Sequence, residues 1–354
     1  MNLPFAEILN WLRAEEPRRL DQLWQAADRL RQQAVGDEVH LRGLIEVSNH
    51  CVSHCGYCGL RLPNADLPRY RLSETEVMDC VRQAVEFGYG TVVMQAGEDP
   101  ALTREGVARL VRRIKAETPL AVTLSLGERS EQDLLAWRAA GADRYLLRFE
   151  TSNRVLYERI HPARPGRMSD RLALLRRLRE MGYEVGSGVM IGIPGQSYED
   201  LARDIQRFAE LDLDMIGVGP FLPHPATPLG DPARAETAAE QVPNSELMTY
   251  KVIALARLVC PRANIPSTTA LATLNRLRGR ELGLARGANV VMPNLTPPAY
   301  RALYEIYPDK ACVRETGDAC HTCLAVRLGA IGRSVGQGRG DSPNARARQD
   351  RATA

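Results

Sequence analysis

The 354-residue sequence has no apolar run long enough to cross a bilayer, and its longest apolar stretches are strand-sized, which argues against a helical membrane protein. It also has little net charge. With 46 basic and 43 acidic residues the balance is +3, and bulk charge gives no case for a nucleic-acid partner. The N-terminal MNLPFAEILNWLRAEEP carries acidic residues early and no apolar core before a small-residue cleavage site, so it does not read as a secretory signal. The expected location is the cytoplasm, away from membranes. What remains is 44% apolar and 25% charged, the balance of a soluble enzyme or large binding domain.

Cysteine is the informative residue. Six of the eight cysteines fall into two tight triplets, Cys51, Cys55 and Cys58, and Cys312, Cys320 and Cys323. A reducing compartment keeps thiols free, so clusters of this kind point to metal or redox chemistry. Cys80 and Cys260 stand alone in apolar helical contexts and read as buried small hydrophobes.

Residues 1–40 read as a helical extension that Pro17 breaks once. From 41 to 307, short apolar segments alternate with amphipathic ones. Strands are expected at 41–48, 91–95, 120–125, 144–150, 184–191, 214–219, 263–268 and 288–292. Helices are expected between them, at 73–87, 103–116, 130–140, 169–181, 198–211, 246–259, 271–286 and 297–307. Eight strand–helix units in this length predict an α/β fold, a TIM-type (βα)8 barrel. An open doubly wound sheet would carry a glycine-rich phosphate turn after strand 1, and this chain has cysteines there. The Pro-rich segment 220–243 predicts a long loop after strand 6, at the face where barrel active sites form. Residues 308–333 hold the second triplet, and the polar, arginine-containing stretch 334–354 reads as a disordered tail.

The first triplet, C-x3-C-x2-C, follows strand 1 at its C-terminal end. A 4Fe–4S cluster normally takes four thiolates; three local ones leave one iron open to another ligand. That arrangement resembles the radical S-adenosylmethionine (SAM) superfamily. Zinc with His50 or His54 is the rival, but zinc knuckles pair C-x2-C units or combine one with a distant His. Strand 4 alternation puts Arg148 and Glu150 on one face, and such a polar pair on a buried parallel strand is either paired or functional. Strand 5 puts Gly186, Gly188, Met190 and Gly192 on one face, leaving room for a nucleoside or allowing close backbone packing. The second triplet, C-x7-C-x2-C, suits a second iron–sulfur cluster (2Fe–2S or 4Fe–4S), or zinc with His321, near the surface.

Within that superfamily the chain is similar to the HydE-type maturases of FeFe-hydrogenase, beside biotin synthase and methylornithine synthase. The stretches that carry the likeness are IEVSNHCVSHCGYCGLR, MQAGEDP, VTLSLGE, DRYLLRFETSN, MIGIPGQ, GVGPFLPHPATPL, IPSTTA and GANVVMPNLTPPAYRALYEIYP, then the second triplet. The resemblance implies that Cys51, Cys55 and Cys58 ligate a 4Fe–4S cluster whose open iron is chelated by SAM. Tyr57, Gly97 and Glu98 would help hold SAM, the last two in an Ala-Gly-Glu-Asp-Pro variant of the superfamily's Gly-Gly-Glu-Pro stretch. Ser125, Glu150 and Arg171 would contact it as well. Arg148, Thr268 and Thr269 would form an anion site for a substrate carboxylate, with Met292, Tyr304 and Tyr307 near the cavity. Phe149 stands where relatives can carry a His.

The implied activity is reductive SAM cleavage to a 5′-deoxyadenosyl radical during assembly of the hydrogenase diiron subcluster. The substrate would be a cysteine-bound iron carbonyl/cyanide species from a partner radical SAM maturase. A GTPase scaffold maturase and an external electron donor are the other implied partners. A methylornithine synthase-like isomerase and a non-catalytic iron–sulfur scaffold are the alternatives. Sulfur insertion of the biotin synthase kind would need cysteines on inner strand positions, and the expected strands carry none.

Overall fold

The computed structural model describes residues 3–164, 168–231 and 238–353. The chain opens with α1 (Phe5–Leu12) and α2 (Pro17–Val35). Pro17 starts α2 at a first-turn position, where its missing N–H costs nothing, and Glu16 caps the same helix. Then follow β1 (Glu38–Ser48), α3 (Glu74–Glu86), β2 (Thr91–Ala96), α4 (Arg104–Glu117), β3 (Ala121–Ser125), α5 (Glu131–Ala139) and β4 (Arg144–Leu146). Next come α6 (Arg154–Ile160), α7 (Arg171–Glu180), β5 (Glu184–Ser187), β6 (Met190–Ile191), α8 (Tyr198–Glu210), β7 (Met215–Ile216) and β8 (Gly219–Pro220). The chain ends with α9 (Glu246–Val259), α10 (Thr269–Leu274), α11 (Gly279–Leu284), β9 (Val290–Val291), α12 (Pro298–Arg301), α13 (Gly317–Ala330), β10 (Ser334–Val335) and α14 (Pro343–Thr353).

The strands pair in parallel as β1–β2–β3–β4–β5–β7. Parallel bridges Met215–Asn264 and Pro266–Val290 carry the ring onward, and β9 pairs with β1 to close it. This is the TIM-type barrel that the alternating pattern predicts. Strand alternation sorts the side chains. Leu44, Glu46, Val93, Gln95, Thr123 and Ser125 line an internal cavity. Ile45, Val92, Met94, Val122 and Leu124 are buried in the apolar layer shared with the helices.

Several expectations need correction. The helix expected over 271–286 is split into α10 and α11. Segment 263–268 contributes single bridges rather than a strand, because Pro266 has no N–H to give a ladder. The helix expected over 297–307 stops at Arg301. Beyond it, the Leu303 and Ile306 carbonyls turn to Asn49 and Gly59, and Pro308 disfavours a helical Tyr307. The expected strand 144–150 ends its ladder at Leu146, and Glu150 sits at φ 64°. Of the predicted loop 220–243, residues 232–237 lie outside the described residues.

The tail is the largest difference. Residues 334–353 are placed under the barrel's N-terminal end, not left as a disordered end. β10 pairs with the start of β1, at Glu38–Ser334 and Val39–Val335. The Gly340 carbonyl accepts from Arg42 and from Asn264, each at 3.0 Å. The Arg339 carbonyl accepts from Thr91 Oγ1 at 2.8 Å and from Arg144 at 2.9 Å. Asp341 pairs with Arg144. Gly338 passes so close to Gly90 that a Cβ on Gly90 would lie 1.6 Å from its carbonyl oxygen. A polar segment is ordered here because it satisfies buried arginines, which composition does not reveal.

Candidate active site

The cysteine loop leaves the C-terminal end of β1 without regular structure, so its backbone groups find partners elsewhere. Val52 N donates to Glu98 O (3.0 Å), Gly56 N to Ile160 O (2.7 Å) and Gly59 N to Ile306 O (3.1 Å). The loop is therefore stitched to the ends of β2 and α6 and to the segment after α12. A Cβ on Gly97 would lie 2.3 Å from His50 O and 2.7 Å from the Cys51 Cβ, so only glycine lets the end of β2 support this loop. Burial pushes the Cys55 thiol well up, with Cys58 adding to it, and pushes Cys58 up to about 12, with Cys51 adding. Tyr57 packs beside the small apolar cluster of Leu156, Ile160, Met190, Ile193 and Phe221.

A buried ionic cluster flanks the loop. Glu98 accepts from Ser53 Oγ and from Glu128 N, both at 3.0 Å, and pairs with Arg164 at 2.8 Å. Arg171 donates to Glu128 at 2.9 Å and to Arg148 O at 2.8 Å, and lies 3.9 Å from Glu98. Burial works to raise the Glu128 carboxyl, but Arg171 and Ser169 hold it below its ordinary value. Burial and Arg171 push His161 down to about 4, so its ring is neutral as it meets the Arg171 guanidinium at 2.6 Å. The carboxylates of Glu98 and Glu128 and the His161 ring approach closely enough to hold a metal ion. Arg164 and Arg171 already balance both charges there, and such a pocket of opposed carboxylates and guanidinia suits a zwitterion's ammonium and carboxylate better than a cation.

Inside the barrel lies a cavity of about 210 Å³. Ser125, Arg148, Thr268, Thr269, Met292 and Tyr307 all line it. Arg148 pairs with Glu150 at 2.9 Å and donates to Val189 O at 2.7 Å. Thr268 caps α10. Tyr304 is placed apart from these, buried between the cysteine loop and Gln95, whose Nε2 lies 3.3 Å from its hydroxyl. Phe149 faces the outer layer against Phe208, 5.9 Å between ring centroids. Gly188 serves packing: a Cβ there would lie 1.8 Å from Gly217 O. Gly186 and Gly192 are similarly enclosed, by Met215 and Leu146 and by Asn244.

Sequence reasoning missed several residues. Glu46 lines the cavity, pairs with Lys310 at 2.7 Å and accepts from Asn294 at 3.0 Å. Burial raises its carboxyl above the ordinary range, against the pull of Lys310. The alternation that exposed Arg148 and Glu150 also puts Arg42 and Glu46 on one face of β1, and could have found them. Lys310, Glu128 and His161 carry no local signal.

The second triplet is not simply superficial. Cys312 borders the cavity at φ 63°, with Arg280 donating to its Sγ at 3.1 Å. Cys320 and Cys323 lie on α13, the first buried and the second exposed. Cys320 and Arg280 favour the Cys312 thiolate, and the shared hydrogen bond holds Cys320 protonated.

The residues present fit an iron–sulfur cluster and SAM. Three thiols come from one loop, the Gly97 cradle supports that loop, and the neighbouring polar pocket matches an amino acid head. Thr123 Oγ1, Arg148 Nε and Arg280 Nε are buried without hydrogen-bond partners, which equips the cavity for a polar ligand.

Comparison with known proteins agrees with this geometry. Residues 45–208 match the Radical SAM superfamily. The chain is 45% identical over 315 residues to the [FeFe] hydrogenase maturase subunit HydE of Thermotoga maritima, covering 89% of this chain and 87% of that one. It is 30% identical to 3-methylornithine synthase of Methanosarcina acetivorans, over 79% of this chain and 76% of the relative. The crystal structure of methylornithine synthase (PylB) superposes with a TM-score of 0.79 at 26% identity, covering 95% of each chain. The maturase HydG shares the fold, with a TM-score of 0.70 at 22% identity over 82% of this chain and 65% of that one. No helix among the described residues is long and apolar enough to cross a membrane.

Proposed function

This chain is a radical SAM enzyme of the HydE family of FeFe-hydrogenase maturases, and on that premise we propose that it cleaves SAM reductively to act on an iron complex during assembly of the diiron subcluster. The observation that carries the reading is the cysteine loop at the C-terminal mouth of the barrel, beside the Glu98–Arg171 cluster and a cavity inside the barrel.

Family membership implies a 4Fe–4S cluster and SAM, which together supply one-electron cleavage of the SAM C5′–S bond to methionine and a 5′-deoxyadenosyl radical. Cys51, Cys55 and Cys58 hold the cluster and leave one coordination position free. Glu98 and Arg171 take the ammonium and carboxylate of the methionine portion, with Tyr57 and the Gly97 backbone beside them. Ser125 and Glu150 contact the remainder of SAM. Arg148, Thr268 and Thr269 anchor an anionic substrate group, with Met292 and Tyr307 around it, while Tyr304 backs the cysteine loop. The barrel wall excludes water from the reacting centre. The substrate is a cysteine-bound iron carbonyl/cyanide species made by a partner radical SAM maturase. The product passes to a GTPase scaffold, and an external donor supplies the electron. Cys312, Cys320 and Cys323 bind a second iron–sulfur cluster.

The test is anaerobic. The reconstituted protein with SAM and dithionite forms 5′-deoxyadenosine, and Cys55→Ala abolishes it. Addition of the iron–cysteine complex gives an adenosylated product and active hydrogenase. The likeness to methylornithine synthase over 95% of each chain favours a second reading, a carbon-skeleton isomerase. Rearrangement of lysine, with the iron complex left intact, would select it. Absence of 5′-deoxyadenosine from cluster-loaded protein would leave only a scaffold.

A further inference from the structure

The cysteine loop is held by a residue that lies beyond the motif in sequence. Arg69 lies in the excursion between the last cysteine and α3. Its Nη1 donates to Asn49 O at 2.6 Å and Leu60 O at 2.8 Å. Its Nη2 donates to Arg61 O at 2.9 Å and Asn64 O at 3.1 Å. All four terminal N–H groups of the guanidinium are thus spent on carbonyls. One of those carbonyls precedes Cys51 and three follow Cys58, so Arg69 closes the segment that carries the whole triplet. Asn49 completes the clasp. It donates to Pro68 O and Leu303 O, both at 2.8 Å, and accepts from Tyr70 N at 2.7 Å. No carboxylate among the described residues forms an ion pair with Arg69, and its charge is felt by Cys51 and Cys58.

We propose that Arg69 is a positioning residue for the cluster: it clamps both ends of the cysteine loop and presents an uncompensated positive charge to it. The inference rests on Cys51, Cys55 and Cys58 being the cluster ligands. The potential of an iron–sulfur centre follows its net charge, its hydrogen bonds and its exposure. A fixed cation bonded to both ends of the loop favours the reduced, more negative state. A planar fork is needed to reach four carbonyls; an ammonium retains the charge but not the geometry.

Arg69→Gln and Arg69→Lys separate the two roles. Each is purified anaerobically and compared with wild type for iron and sulfide content, far-UV circular dichroism and the midpoint potential of the cluster by EPR titration. Arg69→Gln is expected to keep its fold and to lower the reduced fraction at fixed potential at least tenfold, a shift of about 59 mV for one electron. Arg69→Lys is expected to stay within threefold of wild type in reduced fraction while losing cluster more readily to a chelator. A folded, fully loaded Arg69→Gln protein with the wild-type potential overturns the proposal. So does failure of both variants to fold, which would make Arg69 a residue of the barrel's stability. Folded variants that load no cluster support the clamp. If wild-type protein and Cys55→Ala carry the same iron and the same EPR signal, it is the ligand assignment that has failed, not the clamp.

Discussion

The Arg144 network at the bottom of the barrel and the cavity above it use the same kinds of residue and finish them in opposite ways. At the bottom, Arg144 is fully buried and matched by the chain itself: Glu184 at 2.9 Å, Thr91 Oγ1 at 2.8 Å, the Arg339 carbonyl at 2.9 Å and Asp341. The tail supplies the last two. Around the cavity, buried polar atoms are left over, among them Arg42 Nε, Thr123 Oγ1, Arg148 Nε and Arg280 Nε. An unmatched buried polar group costs stability, and natural folds keep few of them. The contrast assigns the Arg144 network to folding and the cavity to a ligand.

The largest effect on stability is expected at the bottom. Arg144→Met leaves Glu184 and Asp341 without their common partner, a loss of about 4 kcal/mol. It should appear as a lower midpoint in urea, with SAM binding by the surviving folded protein unchanged. Loss of SAM binding at undiminished stability would break the comparison, because the bottom would then be part of the site.

Asp204 sharpens the comparison. It accepts from Ser152 N and Ser152 Oγ, behind the turn that carries Glu150, and burial pushes its carboxyl up to about 7 against those bonds. The native state then holds a proton that the unfolded chain, with the ordinary value of 3.8, has released. Its stabilising contribution is complete below 3.8 and is lost as pH rises through about 7. Other carboxylates oppose this trend, so the measurement is a difference. Relative to wild type, Asp204→Asn should gain on the order of 3 kcal/mol between pH 4 and pH 8. A difference independent of pH would mean that Asp204 is ionised throughout.

Arg171→Gln tests whether the Glu98–Arg171 cluster serves a ligand. It removes charged hydrogen bonds worth about 2 kcal/mol, so calorimetry on cluster-loaded protein should find SAM binding about 30-fold weaker. Unchanged affinity would make Arg171 a strut between α7 and Glu128.

Much of this was readable from the sequence where the signal is local. The amphipathic helix patterns, the strand alternation and the cysteine spacing each act over a few residues, and the observed α3, α5 and barrel follow from them. The failures have two causes. Pro266 and Pro308 interrupt their segments locally, while the tail, the bridge at 264 and the turn after α12 are decided by partners more than 40 residues away: Arg42, Met215 and Asn49. Lys310 reaches Glu46 across 264 positions of sequence, and no periodicity announces such a pair.

The second triplet is where the comparison predicts least. Cys312 sits at the cavity wall with Arg280, yet Cys323 is exposed, so this trio spans the surface and the interior rather than closing over the reacting centre. The Glu98–Arg171 pocket and the first cysteine loop make no hydrogen bond or ion pair with it among the described residues. Cys320→Ser should therefore remove the iron bound by the second site while leaving the rate of 5′-deoxyadenosine formation within about twofold of wild type. Iron analysis and product assay on the same anaerobic preparation read both quantities. A tenfold or greater loss of 5′-deoxyadenosine, with the first cluster's EPR signal intact, would show that the path through Arg280 and Cys312 couples the second site to the chemistry at the first.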